Sequence, residues 1–274
     1  MSKKLTKEEV KSPDQVLKTL NQGFQWSQSH SKAVIAAILV FVGVGVGYSL
    51  FSNLSERKES QAQEFYAKFE KNYLEKKRGF DEAERQSARP PMKDAKDQPP
   101  VKAKASGDLE KDYGPEVAGL KKTMDEYPTS KAAQMAALDL SEIYMNYKKD
   151  DDAYQALQKV EKQSEGKNLI SYVVLTQMGN VLAEKNDCKG AVDEWQKVLA
   201  RPEANFLHDT LRLKSAFCYE RLNEIAKAEE LYKKVSQNSQ DPKNPQAGEV
   251  GLGKEAEKYL RLLKLKKGPE AKGS

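Results

Sequence analysis

Two cysteines, Cys188 and Cys218, and two histidines, His30 and His208, are all the thiol and imidazole this chain holds. The cysteines are too few and too widely spaced for a zinc site, and neither histidine has a ligand partner nearby in sequence. No Ser-His-Asp or Cys-His order, phosphate-cradling glycine loop or metal-binding helix motif is present. The run Gly248-Glu249-Val250-Gly251-Leu252-Gly253 follows no strand and precedes a Lys/Glu-rich helix, so it is a poor dinucleotide fingerprint. No catalytic residue, cofactor or metal is expected, and an enzyme is not the reading. Function must then reside in surfaces and in the elements that display them.

Charge narrows the surfaces. The 46 Lys and Arg against 41 Asp and Glu give a net charge of +5, with both signs interspersed along the soluble part. Such mixing marks a solvated helix surface, and without an arginine–aromatic patch no nucleic-acid partner is expected. No small-molecule substrate is expected either. Hydrophobic residues are 38% and charged residues 32% of the chain, too little apolar material for one large core and better suited to stacked helices.

Much of that apolar material is in one run, Ala33 to Phe51, whose 19 residues carry no charge. At a helical rise they reach about 28 Å, close to the hydrocarbon thickness of a bilayer. A cleaved signal is the rival reading, but 32 residues precede the run and Gly47-Tyr48-Ser49 is a weak cleavage site. No cysteine follows, against a lipoprotein signal. Residues 33–51 are therefore expected to be one uncleaved transmembrane helix. Gly43 and Gly47 share a face of it and would permit close contact with another transmembrane helix. Lys18 and Lys32 before the span against Arg57, Lys58, Lys68 and Lys71 after it do not fix its orientation.

Ahead of the span, residues 1–32 form a polar tail. Ser12-Pro13 is a fair helix start, with Val16, Leu17, Leu20 and Phe24 at helical spacing and Trp26 placed for the headgroup level. This amphipathic helix would either lie on the bilayer surface or touch a partner's membrane segments. After the span, Ser55 to Phe80 reads as helix, with Phe65, Phe69, Tyr73 and Leu74 in a stripe; residues 52–84 are its segment. Residues 85–109, with Arg89-Pro90-Pro91 and Pro99-Pro100, read as a Pro/Lys-rich flexible insertion. Residues 110–267 are helical with regular breaks, and 268–274 are a polar tail.

The helical segments repeat. Ser141, Gly179 and Ala216 recur at intervals of 38 and 37, and so do Ala153, Ala191 and Ala228, and Val160, Val198 and Val235. The small residues let paired helices approach, while Tyr144, Leu182, Tyr219, Leu157, Trp195 and Tyr232 fill the space around them. This phase resembles tetratricopeptide repeats, in copies three or four residues longer than the usual length. The fold class is therefore expected to be all-α: a single N-terminal transmembrane helix followed by a tetratricopeptide-like α-solenoid of helical hairpins. The helix at Pro115–Tyr127 should pair with Ser55–Phe80, making residues 85–109 an enlarged loop within the first hairpin.

In tetratricopeptide folds the first helices of the pairs line a concave groove. Projected here, it would carry Met135, Leu138, Glu142, Met145, Asn146, Val173, Thr176, Asn180, Glu184, Leu213, Phe217 and Arg221. The mixture suits a peptide or helix. Some of these residues could instead pack against a terminal capping helix, Glu249–Leu265. The Lys and Asn set by which some repeat proteins clamp a carboxylate is missing at the corresponding positions. Cys188 opens one second helix and Cys218 lies late in the next first helix, so antiparallel packing allows a disulfide in an oxidising compartment; two buried free thiols are the alternative.

The order of parts, with Asp14-Gln15-Val16, a glycine-rich span, Ala67 among aromatics, and Tyr127 to Leu157 leading into degenerate repeats, resembles the YfgM-type ancillary subunits of the bacterial Sec translocon. That resemblance covers roughly residues 10–240. It implies a single-pass inner-membrane protein with a cytoplasmic N-terminus and a periplasmic repeat domain. The implied partners are translocon subunits, periplasmic chaperones and exported clients. An envelope-assembly or cell-division scaffold is the alternative, and an assembly factor for another secretion apparatus is a third class.

Overall fold

The computed structural model describes residues 14–88, 104–163, 168–240 and 250–267, and the chain divides into two units, Met1–Arg57 and Lys58–Ser274. The bulk of the 85–109 stretch, 89–103, lies outside the described residues, as does the 268–274 tail.

In the first unit, helix α1 (Asp14–Ser29) ends one residue before α2 (Ser31–Ser87) begins. The α1 terminus satisfies its own carbonyls: Ser27 Oγ donates to the Phe24 carbonyl at 2.8 Å and Ser29 Oγ to that of Trp26 at 2.9 Å. Trp26 and His30 stack with ring centroids 4.9 Å apart. The apolar run occupies the start of α2. Its described large side chains are exposed, and by length and composition it is, among the described residues, the one candidate for crossing a membrane.

The second unit holds the rest of α2, then α3 (Leu109–Glu126), α4 (Lys131–Asn146), α5 (Asp150–Gln163), α6 (Leu169–Glu184), α7 (Cys188–Leu199), α8 (Asn205–Arg221), α9 (Ile225–Gln240) and α10 (Val250–Lys267). A one-turn 3-10 helix, Pro202–Ala204, precedes α8. No strand occurs among the described residues. α4 packs on α5, α6 on α7 and α8 on α9, while α10 packs on α9 and touches α8.

Four of the helices start where a short polar side chain replaces a missing backbone partner. Asp108, Ser130, Asn168 and Asp187 cap α3, α4, α6 and α7, accepting from backbone N–H groups within the first turn. Such a cap contributes about 1 kcal/mol. The Asp108 cap explains why α3 begins at Leu109, six residues before the Pro115 start expected from sequence. Pro115 is accommodated inside the helix.

The helical pairs turn in one way. Lys148, Asn186 and Asn223 adopt positive φ of 58°, 67° and 61°, at the repeat's own spacing of 38 and 37. The following N–H closes each turn on a carbonyl five residues back: Lys149 on Tyr144, Asp187 on Leu182 and Glu224 on Tyr219, each at 2.8 Å. This is the Schellman closure, which needs a left-handed residue at its centre.

The repeat positions are the core. Ala153, Ala191 and Ala228 are fully buried, and so are Val160, Val198 and Val235. Gly179 lies against the Trp195 indole, where a Cβ would overlap the ring, and Gly119 of α3 stands in the same relation to Phe69 of α2. α2 is further joined to α3 by Tyr73 against Tyr113, with centroids 5.6 Å apart, and by Lys76 Nζ to Glu116 Oε2 at 2.7 Å. Glu116 is buried at its end of that ion pair, while the Lys76 side chain remains partly exposed. A second core cluster, with Leu213, Ala216, Tyr232, Ala256 and Leu263, joins α8, α9 and α10.

Candidate protein-binding face

The first helices of the pairs, α2, α4, α6 and α8, are tied side by side through polar side chains. Tyr66 donates to Asp139 Oδ2 at 2.8 Å, and Lys77 pairs with Glu142, linking α2 to α4. Gln177 Nε2 reaches Ser141 Oγ and Met145 Sδ, both at 3.3 Å, and Lys148 pairs with Glu184 at 3.4 Å, linking α4 to α6. Lys214 donates to Asn180 Oδ1 at 2.6 Å, while Arg221 reaches the Ala183 carbonyl at 3.3 Å and bonds to Asn186, linking α6 to α8. Asn180 in turn donates to Gln177 at 2.9 Å.

Electrostatics varies along this face. Asp139 is raised to about 6, chiefly by burial, with the Tyr66 hydrogen bond opposing and the charges of Glu70 and Glu142 adding to the rise. Burial followed by Asp139 pushes the Tyr66 phenol up, so that hydroxyl remains a donor. Burial alone lowers Lys214, whose hydrogen bond goes to a neutral amide. At one end of the face, Lys77, Phe80, Lys104, Tyr113 and Asn146 line an open pocket of about 660 Å³. Beside it, the Asp112 carboxylate accepts from Ser106 N, Gly107 N and Tyr147 Oη at 3.0, 3.1 and 2.7 Å.

The twelve groove residues divide by role. Glu142, Met145, Asn180, Glu184 and Arg221 hold neighbouring helices together. Leu213 is buried in the second core cluster, so it offers no surface. Phe217 packs edge-on against Tyr259 of α10, 4.5 Å between centroids, and against Tyr232. Met135 and Leu138 are half-buried against the main core. Asn146 and Val173 are exposed, and the buried Thr176 hydroxyl has no hydrogen-bond partner. α10 therefore covers the α8 end of the face, and the open part is formed by α4 and α6.

Sequence reasoning passed over Tyr66, Lys77, Asp139, Gln177 and Lys214. The last three stand at intervals of 38 and 37, two positions before Ser141, Gly179 and Ala216. The repeat phase itself was the signal that could have found them.

Elsewhere, Gly43 and Gly47 have no heavy atom within 4 Å of where a Cβ would stand. Cys188 and Cys218 are buried free thiols. Among the described residues no group of three His, Cys, Asp or Glu could hold a metal ion.

The family model for the tetratricopeptide repeat-like domain matches residues 25–249. No curated protein matches the chain. Two solved crystal structures of MamA are similar to it: one at 22% identity, covering 62% of this chain and 99% of that one with a TM-score of 0.39, the other at 21%, covering 61% and 94% with a TM-score of 0.38. Domains of the tetratricopeptide type mediate protein–protein interactions. With its phased alanines, repeated turns and family match in hand, the chain belongs to the tetratricopeptide repeat-like domain family.

Proposed function

We propose that this protein is a membrane-anchored interaction adaptor, an ancillary subunit of the Sec translocon that links export to periplasmic chaperones. The 33–51 segment spans the inner membrane once, with the N-terminus cytoplasmic and the repeat domain periplasmic. The observation that carries the reading is that one helix, α2, holds both the exposed apolar run and the side chains, Tyr66 and Lys77, that join it to the binding face. An adaptor built so works by raising its partner's local concentration beside the membrane. Gly43 and Gly47 leave room for a second transmembrane helix. The binding face offers an exposed amide, Asn146, and an exposed apolar side chain, Val173, which suits a peptide or helix of mixed polarity.

The test is purification of the full-length protein from gently solubilised native membranes, followed by mass spectrometry. Recovery of Sec subunits and exported clients supports the reading, and their absence rejects it. Recovery of division or wall-assembly proteins instead would favour an envelope scaffold. Carbonate extraction and protease access from the periplasmic side test the anchor and its orientation separately.

A further inference from the structure

Cys188 is the first residue of α7 and Cys218 lies in the last turn of α8, 30 positions on. They are the chain's only cysteines. α7 packs directly on α8, both thiols are buried at 3% and 2% exposure, and the bond from Arg221 to Asn186 shows that the start of α7 and the end of α8 lie side by side. Two thiols buried where consecutive repeats meet have no other cysteine to pair with.

We propose that Cys188 and Cys218 are a disulfide-forming pair that staples the α6–α7 repeat to the α8–α9 repeat in the mature protein. The proposal rests on the periplasmic placement put forward above, because only an oxidising compartment keeps such a bond closed. The chemistry is exchange with an oxidised protein dithiol carrier. One cysteine thiolate attacks the carrier disulfide, forming a mixed disulfide and releasing a carrier thiolate. The second cysteine thiolate then attacks the mixed disulfide, closing the S–S bond and releasing the other carrier thiolate. The two cysteines lose two electrons and two protons, and the carrier is reduced to its dithiol.

Burial sets when this happens. The Cys218 thiol is pushed up to about 12 by its burial and then by Cys188, and a thiol that stays protonated is a poor nucleophile. Exchange therefore precedes the docking of α8 on α7, and the folded, reduced protein oxidises slowly. The bond also has a position that matters for binding. Arg221 and Asn186, which tie α8 to α6, flank the two cysteines in sequence. Pinning 188 to 218 holds the spacing of the first helices on which the binding face depends.

The test uses the full-length protein twice. In cells, free thiols are alkylated by N-ethylmaleimide after acid quenching, and tryptic peptides are weighed. The expected product joins Asn186–Lys189 to Ser215–Arg221 with no alkyl group on either. Separately, the purified protein is unfolded, reduced and refolded in detergent with oxidised and reduced glutathione. The bridge should form there, raise Tm by about 6–10 °C over the reduced form, and give no such rise in Cys218→Ala. Failure to form the bridge on refolding overturns the proposal. Bridge formation on refolding but alkylated thiols in cells also overturns it for the native protein, and protease access then assigns the fault. A protected repeat domain means the periplasmic reading has failed, whereas an accessible one means the disulfide proposal alone has failed.

Discussion

Tyr66 of α2 donates its phenolic proton to Asp139 of α4 at 2.8 Å, so one hydrogen bond joins the helix bearing the apolar run to the first complete hairpin. Asp139 is raised to about 6, mainly by burial. A carboxyl raised in the folded state favours folding most when protonated. Its contribution is full below the ordinary Asp value of about 3.9 and is lost as pH rises through about 6. Asp139→Asn keeps an acceptor for Tyr66 without the charge. The difference in unfolding free energy between variant and parent should grow by about 2 kcal/mol in the variant's favour from pH 4 to pH 7. Chemical denaturation across that range measures it, and a flat difference would remove Asp139 from the account.

The turn residues give a prediction of opposite character. Lys148 holds φ 58° where the other two turns have asparagine. Its ion pair with Glu184 is exposed and contributes little. Lys148→Gly should therefore stabilise the repeat domain by about 0.5–1 kcal/mol, and Lys148→Val should destabilise it by at least as much. Thermal melts of the two variants should move in opposite directions.

Close helix approach makes a third test. A Cβ at residue 179 would overlap the Trp195 ring, which is almost fully buried and whose Nε1 donates to the Thr176 carbonyl at 3.1 Å. Gly179→Ala should cost about 1–3 kcal/mol through overpacking, even though alanine is the better helix former. Trp195 fluorescence should shift in the same variant, measured with Trp26 replaced by Phe.

Asp112 fixes the start of α3 to the end of α4. Burial works to raise its pKa, but the Tyr147 hydroxyl and the N–H groups of Ser106 and Gly107 outweigh it and hold the carboxyl below its ordinary range. Its stabilisation is present above about pH 4 and is lost as pH falls through the lowered folded value. Asp112→Ala leaves those donors without their acceptor and should cost about 2–3 kcal/mol at pH 7 by urea denaturation.

The helical pairs were legible because their steric requirements recur: alanine and valine at fixed phase are needed wherever two helices approach, and all six phased alanines and valines are buried. The start of α3 was less so. Pro115 is a good first-turn residue by local preference, yet the Asp108 cap and the packing of Tyr113 on Tyr73 extend the helix backward past it. The alignment of the first helices was legible, but the role of each side chain on them was not. A charged or amide side chain on a first helix serves a partner or a neighbouring helix equally well in sequence, and only the contacts assign Glu142 to Lys77 and Asn180 to Lys214. A capping helix at Glu249–Leu265 was legible, but not which groove residues it would cover; α10 closes a core over Leu213 of α8.

The central claim is that the open first-helix face takes a protein partner at the membrane. Photo-crosslinking amino acids placed at Asn146 and Val173, with controls at the exposed second-helix positions Gln155 and Asp193, test it in native membranes. The account predicts discrete adducts at 146 and 173, absent from 155 and 193 and lost when residues 33–51 are replaced by a soluble linker. Equal crosslinking at all four sites, or none at 146 and 173 in the anchored protein, would contradict it.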